Sequence, residues 1–167
     1  MKTIVKILAV IALVACVVTL FSACNSEGDD DDEDDFCVTY KDVEIKLGKS
    51  ADSVLSKLGK KNEVYAGNCG GNGDVYQYTY TDIVLAVLTD SNKNSTIDKI
   101  EFISDSVKTS KGICVGASSE EVIKAHGEPT QKTNSSIEYK KGTLSLKFTI
   151  SNGVVKNISY RNITQSN

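Results

Sequence analysis

The sequence is poor in the side chains from which most catalytic and metal centres are made. Its 167 residues include one histidine, one methionine, one proline and no tryptophan. A single imidazole, His126, leaves little from which to build a metal or general-base site. No Ser/His/Asp set, metal-ligand cluster or juxtaposed pair of carboxylates is assembled by spacing. No enzyme activity, catalytic residue, metal or cofactor is therefore expected. A nucleic-acid partner is not expected either: from Phe36 onward the chain has 17 basic and 14 acidic residues, short of a basic patch. What remains is ordinary for a globular chain. Hydrophobic residues make up 40% and charged residues 25%, at a length that holds one domain or two small ones.

The first residues read as an export signal. Lys2 and Lys6 precede an apolar run from Ile7 to Phe21, broken only by Thr19, and small residues follow. The end of the run, Phe21-Ser22-Ala23-Cys24, resembles a bacterial lipobox. That resemblance implies cleavage after residue 23, lipidation of Cys24, and a protein held on the extracytoplasmic face of a bacterial cell envelope. Leu13-Val14-Ala15-Cys16 matches the lipobox better by letter, but apolar residues continue past Cys16. An uncleaved membrane helix is the competing reading, because about twenty apolar residues span a bilayer. Residues 24–36 then form an acidic tether. Eight of them are Asp or Glu, and such a run repels itself and buries nothing. Fully extended, it reaches roughly 40 Å.

Cleavage and lipidation leave Cys37, Cys69 and Cys114, an odd number for an oxidising compartment. One internal pair at most is expected, and Cys37–Cys69 is favoured because it would pin the loose start of the domain. The alternative is three unbridged thiols.

The folded part carries an internal echo. The stretch GKSADSVLSKLGKK from Gly48 has a counterpart in GASSEEVIKAHGEP from Gly116. Each predicts a short helix, over 51–58 and up to His126, with Ser50 and Ser118 as N-caps. Ser118 with Glu121 has the spacing of a capping box. Gly59 and Gly127 stand where a positive φ closes a helix, and Pro129 bars continuation. His126 then matches Leu58, a packing position. Alternation predicts strands over 43–47, 75–81, 83–89, 97–104, 136–140, 143–151 and 154–161, with a short one at 113–115. Asp90–Ser95, Lys141-Gly142 and Asn152-Gly153 are turns. Ala66–Asp74, AGNCGGNGD, lacks the helix start that a phosphate cradle needs and reads as a mobile connection. The expected fold class is α+β: two tandem helix-plus-antiparallel-β-meander repeats, residues 37–106 and 107–167, with the helices packed on one sheet face.

The Gly116–Pro129 segment is similar to the Gly-x-Ser/Thr-x-x-x-Val-x-x-x-x-Gly-x-Pro pattern of the β-lactamase inhibitor protein fold and of SmpA/OmlA lipoproteins. The first copy departs from it at Lys61, where proline is usual. The resemblance, over about residues 43–161, implies a sheet that engages a partner protein; it carries over no inhibitory residue. The expected function is that of a non-enzymatic, lipid-anchored protein that binds an envelope or secreted protein through an exposed sheet face. Tyr76, Tyr78 and Tyr80 share one strand face and are the candidate contacts; the competing reading places them in the core. Two alternatives are inhibition of a secreted hydrolase through the 67–74 loop, and small-ligand reception.

Overall fold

The computed structural model describes residues 36–59, 62–68 and 73–163. The signal segment, Cys24, the tether up to residue 35, and Cys69 lie outside the described residues.

Two layers share one core. The first is a hairpin of β1 (Cys37–Tyr40) and β2 (Val43–Lys46), with helices α1 (Asp52–Leu58) and α2 (Ser119–His126). The second is one antiparallel sheet built from β3 (Glu63–Asn68), β4 (Asp74–Thr79), β5 (Ile83–Thr89), β6 (Ser95–Phe102), β7 (Gln131–Lys132), β8 (Ser136–Lys141), β9 (Leu144–Ser151) and β10 (Val154–Asn162). Its strand order is β3-β4-β5-β6-β10-β9-β8-β7. Period-two alternation sends Leu146, Phe148 and Ile150 of β9 inward and leaves Lys147 and Thr149 outside. Ile83, Leu85 and Val87, Ile100 and Phe102, and Ile158 and Tyr160 join them in one buried cluster. The covering layer contributes Val38, Tyr40, Ile45, Val54, Leu55 and Val122 to the same cluster.

The expected α+β pair of helix-plus-meander repeats is not the fold. The chain is mostly β. Among the described residues there are two helices, of 7 and 8 residues. The large sheet is continuous from edge to edge, with β6 and β10 paired through Phe102↔Ile158 and Glu101↔Ser159. The 113–115 segment forms no strand, whereas β1, β3 and β7 were not expected. Of these, β3 and β7 are the edges of the large sheet, and β3 escapes a pattern reading because it is exposed along nearly its whole length.

The echo between the Gly48 and Gly116 stretches is nevertheless physical at short range. The Gly48 N–H donates to the Ile97 carbonyl at 2.8 Å, and the Gly116 N–H to that of Val155 at 2.9 Å. The Ala51 N–H reaches the Ser95 carbonyl at 2.8 Å, and the Ser119 N–H that of Gly153 at 2.9 Å. The segment that leads into each helix is thus bonded to the start of β6, or to the start of β10 and the turn before it. At the other end a tyrosine hydroxyl bonds the closing glycine: Tyr80 Oη donates to the Gly59 carbonyl at 2.7 Å, and Tyr139 Oη to that of Gly127 at 3.0 Å.

The two helix starts differ in their caps. Ser118 accepts from the Glu121 N–H at 3.1 Å, while the Glu121 carboxylate accepts from the Ser118 N–H at 2.8 Å. On α1 the cap position is Ala51, with no side-chain cap bond; Ser50 Oγ only accepts from the Asp52 N–H at 3.3 Å. Ser118→Ala is therefore expected to cost about 1 kcal/mol and Ser50→Ala clearly less, read as the shift of the urea midpoint.

Candidate functional site: the uncovered face of the sheet

Helices and hairpin cover one face of the large sheet, so the outward positions of the strands form a second face with no layer upon it among the described residues. Register sets what meets there. Gln77 stands opposite Ala86, Ala86 opposite Lys99, and Lys99 opposite Arg161. Glu101 faces Ser159, Ser159 faces Lys147, and Lys147 faces Glu138. The face is thus apolar toward β5, with Val84 and Ala86, and charged over β6, β10, β9 and β8.

Two carboxylates organise the charged part, each gripped by a cation and a neutral donor. Glu101 takes an ion pair from Lys99 and a bond from Asn157 Nδ2 at 2.8 Å. Glu138 accepts from Ser145 Oγ at 2.6 Å and pairs with Lys140 Nζ at 3.3 Å. Lys147 and Arg161 are exposed and form no side-chain hydrogen bond or ion pair among the described residues. Glu101 and Glu138 are already neutralised by neighbours and the Arg161 charge is felt by Asp98 and Glu101, so Lys147 is the cation of this face with no acidic neighbour bonded to it among the described residues.

Burial acts on neighbouring acids in opposite net directions. Burial pushes the Asp98 carboxyl above its ordinary value, and the charge of Arg161 opposes it only in part. Burial also pushes Glu101 upward, but the bonds and charges from Lys99, with Asn157 and Arg161, outweigh it and carry Glu101 below its ordinary value. The signs for stability follow. Ionised Asp98 is a penalty that is absent below its unfolded pKa and grows as pH rises through its raised folded value. Ionised Glu101 is a gain present above its unfolded pKa and lost as pH falls through its depressed folded value. Asp98→Asn should raise the thermal midpoint at pH 7 and leave it unchanged at pH 3. Glu101→Gln should lower it at pH 7, by an amount that shrinks as pH falls below the ordinary glutamate range and through the depressed folded value. Both shifts are modest, because the groups are part-exposed and solvent screens them.

The tyrosines expected to form a contact surface lie elsewhere. Tyr78 is 4% exposed and Tyr80 7%, on the helix-covered side. Tyr76 is half-buried against the same cluster. They do share a strand face, but it is the inner one, so this candidate binding set is corrected to core. Tyr76 meets the exposed Tyr65 edge-on, with centroids 5.7 Å apart. Of the candidate disulfide, Cys37 is buried in β1 and Cys69 is outside the described residues. His126 is half-buried, with its ring 5.3 Å from both Tyr139 and Phe148 and Nε2 3.3 Å from Thr109 Oγ1: a packing imidazole. Among the described residues no group of three or more His, Cys, Asp or Glu is placed to hold a metal, and no helix is long and apolar enough to cross a membrane.

The alternation along β9 reads in the sequence as a sheet with one wet face, but it names no site. Ser145, Lys147 and Thr149 alternate with core residues, and the same register places polar residues of β6, β8 and β10 beside them.

Neither a protein-family model nor a curated protein sequence matches the chain. Among solved structures it is similar to a cysteine-rich secretory protein from Staphylococcus aureus, with a TM-score of 0.50 and 17% identity, over 70% of this chain and 44% of that one. It is also similar to a DUF4309 family protein (YjgB) from Bacillus subtilis, with a TM-score of 0.45 and 16% identity, over 71% and 82% of the two chains. Neither is a β-lactamase inhibitor protein or an SmpA/OmlA lipoprotein. At such identities the first likeness is one of fold alone. This chain spans less than half the length of the S. aureus protein.

Proposed function

We propose that the protein is a lipid-anchored, extracytoplasmic binding module, without catalysis of its own, that engages an acidic surface of a partner protein through the uncovered sheet face. The observation that carries this reading is the pair of gripped carboxylates, Glu101 and Glu138. Their bonds fix the surrounding side chains before any partner arrives, so little rotamer entropy is lost on docking. Lys147 and Arg161 stay available, and charges of one sign steer a complementary surface and set its register. The anchor rests on the apolar run that ends in Cys24, and the reach to a partner on the acidic tether.

Site-specific photo-crosslinking in intact cells tests the face. A crosslinker in place of Lys147, on the uncovered side, should yield a discrete protein adduct, and one in place of Lys124, on α2, should not. Arg161→Glu should abolish the adduct. The same adducts from both positions, or no adduct from Lys147, would overturn the assignment.

A further inference from the structure

On the opposite side of the molecule, where the β1–β2 turn, the end of α1 and the end of β4 converge, lies a cleft of about 420 Å³. This volume is within the range of small-molecule sites. Among the described residues that line it are two lysines, Lys41 and Lys57, and no Asp or Glu. Asn62, Thr79 and Thr81 also line it, together with Leu58 and Tyr80. The Tyr80 hydroxyl is already bonded to the Gly59 carbonyl.

The five polar side chains share one property. Lys41, Lys57, Asn62, Thr79 and Thr81 form no side-chain hydrogen bond or ion pair among the described residues; Lys41 only stands over the Tyr40 ring, 5.2 Å from its centroid. Lys46, Lys99 and Lys140, by contrast, have carboxylate partners in Glu44, Glu101 and Glu138. Asp42, Glu63 and Asp82 adjoin lining residues in sequence, and of these Asp82 is held by Tyr40 Oη at 3.1 Å and Ser104 Oγ at 2.8 Å.

The second helix shows that the fold does not need this opening. Tyr139, which bonds Gly127 as Tyr80 bonds Gly59, has the rings of His126 and Phe148 at 5.3 and 6.1 Å. An aromatic cluster lies there, and Ala125 stands where α1 has Lys57.

We propose that the cleft binds a phosphate group carried on a small polar molecule. Two ammonium point charges among neutral polar lining residues suit a tetrahedral anion with several acceptor oxygens better than a carboxylate with two. The volume exceeds a bare phosphate, so the rest of the ligand lies over Leu58 and Tyr80. The phosphate has two possible sources: a soluble phosphate monoester, or the phosphodiester of a lipid headgroup.

Calorimetric titration of the full chain in non-ionic detergent separates them. The probes are inorganic phosphate, glycerol phosphate, and glycerophosphoglycerol as a deacylated headgroup. Saturable binding of the first two assigns the cleft to soluble monoesters; binding of the third alone assigns it to headgroups. In either case Lys57→Ala and Lys41→Ala should each weaken binding about tenfold, and added salt should weaken it further. Lys147→Ala, on the opposite face, should leave it unchanged. Both lysines are exposed, so the variants retain the core. No saturation with any probe, or affinity indifferent to Lys41 and Lys57, would overturn the proposal. Neither result touches the sheet-face reading, which the crosslinking tests separately.

Discussion

Tyr78→Ala is expected to lower folding stability by about 3 kcal/mol or more, at the level of a large aromatic truncated in a core. Tyr78 is 4% exposed and stands opposite Leu85 of β5 and Glu63 of β3. Removing its ring leaves a void under the covering layer, and closing that void requires the sheet to move. The urea midpoint should fall while the slope stays constant, the sign of changed stability without changed compactness. Tyr76→Ala should cost markedly less, about 1 kcal/mol, because its ring is half-buried and loses chiefly the edge contact with Tyr65. The two variants distinguish core from contact surface. Were these rings a docking patch, Tyr78→Ala would leave the midpoint in place.

The second large effect is expected at Gly73. Its φ is +132°, and a Cβ there would lie 2.2 Å from the Thr89 carbonyl oxygen and 2.9 Å from its carbon. The obstacle is backbone of β5, which cannot swing aside as a side chain does. Gly73→Ala should therefore cost about 3 kcal/mol or more, combining strain with displacement of the β4–β5 pairing. Gly67 is the internal control. It has the same φ of +132°, with nothing among the described residues within 4 Å of an added Cβ, so Gly67→Ala should show the strain alone, about 1–2 kcal/mol. Thermal or urea unfolding of the pair measures the clash by difference. Equal losses would mean that Thr89 yields freely.

The sequence was most legible where structure is set by neighbours along the chain. The capping box at Ser118 and Glu121, the glycines closing both helices and the Asn152-Gly153 turn depend on a few adjacent residues. The inward residues of β5, β9 and β10 were legible for a related reason: a half-buried strand writes its period into composition. Ser50 shows the limit. It occupies the place of Ser118, but the chain makes Ala51 the cap and bonds it to Ser95 instead.

The candidate site was less legible. The Tyr76, Tyr78 and Tyr80 alternation fixed that the rings share a face but not which one, because a period of two is blind to the side on which helices lie. The gripping of Glu101 by Asn157, across β6 and β10, joins residues far apart in the chain. No spacing rule reaches that far. The cleft between Lys41 and Lys57 depends likewise on where the β1–β2 turn comes to rest.

By itself the chain determined its short helices, their ends, most strand positions, and an apolar run near the amino terminus with an acidic run behind it. These follow from local sterics, periodicity and like-charge repulsion. Only the tertiary structure decided that both halves share one sheet through β6 and β10, which face of it stays open, and which polar groups meet on that face. Strand pairing is a contest among distant segments, settled by the burial of the whole core.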